Sequence, residues 1–120
     1  MAVEVAIGDD DELLRRLAPD HVTKGAVNSL AFSGRSHEAN EISVDLRRLT
    51  TEERTLASRP SFGLGVLQVG DVRAMGLEIV HDPVEGNDAH CLIVGEYSKA
   101  VTRYLAKLTR VVKAPHPRSG

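Results

Sequence analysis

The clearest alternation of polar and apolar positions is Glu41-Ile42-Ser43-Val44-Asp45-Leu46, the period of two that a half-buried strand requires. Val27 to Phe32 reads as a second strand. The polar stretch 33–40 between them, with Gly34, predicts a hairpin-like pairing of the two. Gly63 to Val69 suits a buried strand whose two glycines let the backbone bend or be approached closely. Leu77 to Val80 and His90 to Val94 are further strands, separated by the loop His81 to Ala89. Met1 to Ile7 alternates weakly, as an edge strand or a frayed terminus does.

Helical spacing recurs in four places. Asp9 to Leu17 sets Leu13, Leu14 and Leu17 on one side behind an acidic start, with Glu12 three residues after Asp9 and Pro19 as a stop. Thr50-Thr51-Glu52-Glu53 matches a capping box, Thr50 capping and Glu53 reaching back, and opens a short helix that ends before Pro60. Asp71 to Met75 makes one or two turns, closed by Gly76. Ser98 caps a longer helix, spanning about 98–112, with Val101, Tyr104, Leu105, Leu108, Val111 and Val112 as its apolar stripe. This irregular interleaving predicts an α+β fold, a mixed or mainly antiparallel sheet of about five strands packed by three or four helices. Residues 1–113 form a single domain in this reading, and 114–120, with Pro115 and Pro117, a flexible tail.

A length of 120 residues accommodates one real core, and an apolar content of 42% argues against wholesale disorder. Phe32, Phe62, Tyr97 and Tyr104 are the only aromatics, so the core is aliphatic and stacking platforms for single-stranded nucleic acid are not expected. The one cysteine, Cys91, lies in an apolar run; it rules out an internal disulfide and reads as a small buried hydrophobe. The first residues lack the pattern of a secretory signal, and no run approaches the ~20 apolar residues of a bilayer span. A cytoplasmic protein without membrane association, metal or cofactor is the expectation.

Charge changes the picture more than composition does. The formal net charge is −2, yet Lys99, Arg103, Lys107, Arg110, Lys113 and Arg118 occupy a segment from Ser98 onward that holds no acid. Residues 1–97 carry the other nine basic groups against all 17 acids, a formal −8. Lys99, Arg103, Lys107 and Arg110 recur four, four and three residues apart, opposite the apolar stripe of the last helix. Such a face binds an acidic protein surface or a nucleic-acid backbone, or is solvated and paired with acids elsewhere in the fold. No base-reading motif accompanies it, so any nucleic-acid contact is expected to be blind to sequence.

A second constellation is the loop from His81 and Asp82 to Asp88 and His90, with imidazoles and carboxylates at two strand ends. Its spacing allows a divalent-metal site or an acid–base pair. It equally suits turn hydrogen bonds from the aspartates, with Pro83 stiffening the loop. A third is Arg15-Arg16 with His21 and Ser29, suited to holding a phosphate or to forming an ordinary exposed face. No nucleophile elbow surrounds Ser29 or Ser43. Gly63, Gly65 and Gly70 match neither standard nucleotide-binding motif.

Leu14-Arg15-Arg16 with Pro19 and His21, Ser29 with Ala31-Phe32, Ser43-Val44-Asp45, Arg73 and Gly76 after a Val-rich strand, and Asp82-Pro83, Asn87, Ala89-His90 and Gly95 together resemble a family of small uncharacterised bacterial proteins. The resemblance spans roughly residues 12–112 and implies no activity or catalytic residue. It does imply that His21, Ser29, Asp45, Asp82 and His90 be considered together.

Two functions follow as expectations. The first is a non-enzymatic binding or regulatory module that presents Lys99, Arg103, Lys107 and Arg110, with Ser29 as a further binding residue, to an acidic protein or nucleic acid. The second is a small hydrolase or transferase for a phosphate-bearing substrate. His90 or His21 is then the acid–base group, Arg15 or Arg16 the anion clamp and Asp82 an orienting partner. That arrangement requires these side chains to converge in one cleft.

Overall fold

A computed structural model describes residues 5–32 and 41–116 of the protein. The expected loop 33–40, most of the strand expected at 1–7 and the end of the tail, 117–120, lie outside the described residues.

The segment expected to be a helix at Asp9 to Leu17 instead contains a strand, β1 (Glu12–Leu17). Leu13 and Leu17 point to one side of the sheet and Leu14 to the other, and all three are buried. A strand covered on both faces needs no alternation, so its leucines imitate helical spacing. After it, β2 (Val22–Thr23) and β3 (Ala26–Val27) form a separate hairpin. Lys24 and Gly25 make its turn with φ of 52° and 80°, the left-handed pair favoured in two-residue hairpins.

The strand expected over Val27 to Phe32 is likewise corrected, because Ser29–Phe32 is a 3-10 turn. Asn28 explains the switch: its amide donates to the Asp20 carbonyl (2.8 Å) and its side-chain oxygen accepts from Leu30 N–H (2.9 Å). The following strand, β4 (Glu41–Leu46), therefore does not pair with 27–32. Its neighbours are β1 and β7 (His90–Val94).

α1 (Glu52–Leu56) is capped by Thr51, whose hydroxyl accepts from Arg54 N–H at 3.1 Å, one residue later than the expected cap at Thr50. β5 (Gly63–Gln68) leads directly into α2 (Val69–Ala74), and Gly76, at φ 88°, ends that helix as expected. β6 (Glu78–His81) runs antiparallel to β7.

The last helix, α3 (Lys99–Leu108), is capped by the Ser98 hydroxyl, which accepts from Val101 N–H at 3.1 Å. It ends earlier than expected: Thr109 is extended, and Arg110–Lys113 form β8. β8 lies against β5, where the glycines are required. A Cβ at Gly65 would collide with the Thr109 methyl, and one at Gly63 with the Lys113 carbonyl.

The main sheet has six strands rather than about five, in the order β6-β7-β4-β1-β5-β8, with every pairing antiparallel. Three α-helices occur among the described residues. One face is covered by α2, α3 and the turn at Ser29–Phe32, which bury Val69, Val72, Leu105 and Phe32 over Leu13, Leu17, Val44 and Ile93. The other face carries a smaller cluster of Leu14, Leu64, Val66 and Leu56, the last from α1. A continuous cover on one side and a partial cover on the other leave part of the sheet open, and the polar groups collect there.

Candidate functional site

The open part of the second face is a cleft of about 250 Å³. Alternation along the strands sets its floor: Leu14 and Arg16 from β1, Ser43 and Asp45 from β4, and His90 from β7. The antiparallel register places Asp45 directly between Leu14 and His90. One wall is Thr50, Arg54, Thr55 and Ser58, in and around α1; the other is Gly86 and Asn87 in the β6–β7 connection.

Asp45 joins the two walls. Thr55 Oγ1 donates to Asp45 Oδ2 at 2.8 Å, and Asn87 Nδ2 donates to Asp45 Oδ1 at 2.9 Å. The residue is only 9% exposed, so these two donors replace much of its hydration. Asn87 also accepts from Ala89 N–H through Oδ1 (3.1 Å), which fixes the turn leading into β7.

His90 lies beside Asp45. Its Nδ1 is 2.8 Å from the Asp82 carbonyl oxygen and 3.2 Å from Asp82 Oδ2. Both neighbours are acceptors, so Nδ1 is the donor, which in the neutral tautomer leaves Nε2 as an acceptor. Asp82 thus orients His90 within one connection, the pairing the residues 81–90 suggested. His81 and Asp88 are engaged separately, His81 Nε2 donating to the Asp88 carbonyl at 2.7 Å. Among the described residues no group of three or more His, Cys, Asp or Glu side chains is placed to hold a metal ion.

Arg15 and Arg16 project to opposite faces of β1. Arg16 lines the cleft, with Nη1 donating to Ser58 Oγ at 3.4 Å. Arg15 points into the other side. Its Nε and Nη2 both donate to the Ala31 carbonyl (3.0 and 2.7 Å), Nη1 donates to the Ser43 carbonyl (2.9 Å), and the guanidinium lies 5.9 Å from the Phe32 ring centroid. Burial lowers its pKa to about 10, which still leaves it cationic at neutral pH.

His21 belongs to that same side. Its Nδ1 accepts from Ala18 N–H at 3.0 Å, and burial, together with the Arg15 charge, pushes its pKa down. Ser29 begins the 3-10 turn there. The structure therefore brings His90, Asp82, Asp45 and Arg16 together, and leaves His21, Arg15 and Ser29 outside the cleft. Arg54 and Thr55 were not singled out by sequence; the capping motif that opens α1 located their helix but not the face they serve.

The basic residues of α3 have a different setting. Lys99, Arg103 and Lys107 are exposed and have no acidic partner among the described residues. Tyr104, expected in the apolar stripe, is 52% exposed beside them. Arg110 is not on the helix: it sits on β8, with Nη2 3.6 Å from Glu12 Oε2. Lys113 Nζ donates to the Pro60 and Phe62 carbonyls, both at 3.2 Å. The described start of the expected tail is also tied down, His116 N–H donating to the Ser61 carbonyl at 2.9 Å.

Cys91 is fully buried on β7, and burial pushes its thiol up to about 11, so it is neither nucleophilic nor ionised at neutral pH. No helix among the described residues is long and apolar enough to cross a membrane. The chain matches no family model, no curated protein and no solved structure.

Proposed function

We propose that this protein is a small binding or regulatory module that presents the exposed face of α3 to an acidic partner, a protein surface or a nucleic-acid backbone. One contrast carries the reading. Arg110, the fourth cation expected on this face, has a carboxylate at 3.6 Å, whereas Lys99, Arg103 and Lys107, all exposed on one helix, have none among the described residues. Cations spaced four residues apart on a helix stand about 6 Å from one another along its axis. The three therefore form a row about 12 Å long. Tyr104 adjoins that row, and a half-exposed tyrosine supplies rigid, amphipathic contact area.

Such a row yields modest, salt-sensitive affinity. With three phosphates neutralised, binding to duplex DNA weakens with a log–log salt slope of about −3. The test is titration with heparin and with a DNA duplex at several salt concentrations, comparing the native chain with a Lys99→Glu/Arg103→Glu/Lys107→Glu variant. Binding at low salt that disappears in the variant is the expected result. Arg110→Glu is expected to matter less, because Arg110 is already engaged with Glu12. Absence of polyanion binding at low ionic strength, or binding indifferent to the triple reversal, overturns the reading.

A further inference from the structure

We propose that the cleft between α1 and the β6–β7 connection binds a small phosphomonoester, with Arg16 and Arg54 as the cations that receive its phosphate. This site lies on the opposite face of the sheet from α3 and does not depend on the role of that helix.

The first argument is electrostatic. Arg16 and Arg54 both line one concavity, and neither has a carboxylate partner among the described residues. Two unneutralised guanidiniums at the rim of one recess attract an anion, and each offers a planar fork of donors. A flat carboxylate is satisfied by one such fork. The terminal oxygens of a phosphate point in several directions and suit two forks together with neutral donors. Those donors are present: Ser43, Thr50 and Ser58 line the same cleft, and Ser58 already touches Arg16.

The second argument concerns the organic part of the ligand. Asp45 and His90 lie side by side on the floor. Each Asp45 oxygen is held by one neutral donor and retains further accepting capacity. His90, with Nδ1 committed to Asp82, offers Nε2 as an acceptor. The floor thus presents acceptors and one negative charge, which repels a second anion and welcomes hydroxyl donors. A phosphate at the arginines with a hydroxyl-bearing body over Asp45 and His90 matches both regions. At about 250 Å³ the cleft is smaller than the ~300 Å³ at which pockets for drug-sized ligands begin. The fitting ligand is correspondingly small, of the size of a short polyol phosphate.

The experiment is amide-resolved NMR titration with glycerol phosphate, inorganic phosphate, glycerol and acetate in parallel. Glycerol phosphate at millimolar concentration is expected to move amides at residues 43–45, 54–58 and 86–90 and to leave those of 99–107 in place. Arg16→Ala and Arg54→Ala, both at exposed positions, are each expected to weaken it by about tenfold, as loss of a charge-assisted contact does. Arg16→Lys and Arg54→Lys retain the charge without the fork and are expected to fall between. Unchanged amides outside the cleft establish that each variant is folded. No shift at the cleft, or shifts indifferent to both arginines, overturns the proposal. Acetate binding as tightly overturns the phosphate, and inorganic phosphate binding as tightly overturns the organic body. Reversal of the α3 cations is expected to leave the titration unchanged, so this result and that for α3 stand or fall separately.

Discussion

Thr55 Oγ1 donates a 2.8 Å hydrogen bond to Asp45 Oδ2 across the gap between α1 and β4, and Asn87 reaches the same carboxylate from the other side at 2.9 Å. β4, α1 and the β6–β7 connection are thereby clipped at one buried carboxylate. Asp45→Ala leaves the Thr55 hydroxyl and the Asn87 amide without their acceptor. It is expected to cost about 2–4 kcal/mol, and Thr55→Val about 1–2 kcal/mol, in urea unfolding. An Asp45→Ala chain as stable as the native one removes the clip from the account of the cleft.

Arg15 carries a comparable burden on the opposite side. Its three hydrogen bonds to the Ala31 and Ser43 carbonyls tie β1 to the 3-10 turn and to β4, and no carboxylate accompanies it among the described residues. Arg15→Met is expected to lose about 2–4 kcal/mol, measured by urea unfolding. Arg15→Lys should recover less than half of that, since an ammonium cannot grip one carbonyl with two donors while reaching another. Polyanion binding at α3 should be unaffected, and a large drop there would mark Arg15 as more than a scaffold residue.

His21 sets a pH dependence. Its Nδ1 accepts from Ala18 N–H, so protonation removes that bond, and burial and Arg15 both oppose the charge. The folded pKa thus lies below the ordinary value of about 6.5 shown in the unfolded chain. Between the two values the unfolded chain binds more protons. Stability from this group is therefore complete above about 6.5, falls as pH drops through the window, and levels off below the folded pKa. Comparing urea midpoints of the native chain and His21→Gln from pH 8 to pH 5 isolates the effect. Parallel curves for the two chains contradict it.

How far the chain reveals itself depends on whether a feature is local. The strands at 41–46, 63–68 and 90–94, the cap at Ser98 and the stop at Gly76 were legible because neighbouring residues determine them. β1 was not. Leu13, Leu14 and Leu17 are spaced as on a helix, and only the strands lying on either side of β1 show that they serve two faces. The end of α3 was obscured in the same way: Val111 and Val112 continue the helical period by coincidence, while the glycines of β5 receive them as a strand. In the cleft, the pairing of His90 with Asp82 spans eight positions and was readable. The reach of Asn87 to Asp45, 42 positions away, and the meeting of Arg54 with Arg16 in one cleft follow from tertiary packing and were not. Arg15 and Arg16 show the cost of a wrong period most plainly, because adjacent residues share a helix surface broadly but a strand separates them completely.

The central position of β1 also bears on how the polypeptide is made. Leu13 pairs with Leu46 on one flank and with Leu67 on the other. A nascent chain emerging from the ribosome therefore holds its middle strand unpaired until both partners have left the exit tunnel. β8, which closes the flank beyond β5, follows the other five strands of the sheet in the chain and is synthesised after them. Such nonlocal wiring slows folding and lengthens the interval in which an apolar strand is exposed. Arg15 and Arg16, placed in the midst of those leucines, give that waiting segment the charge that discourages it from pairing with a copy of itself.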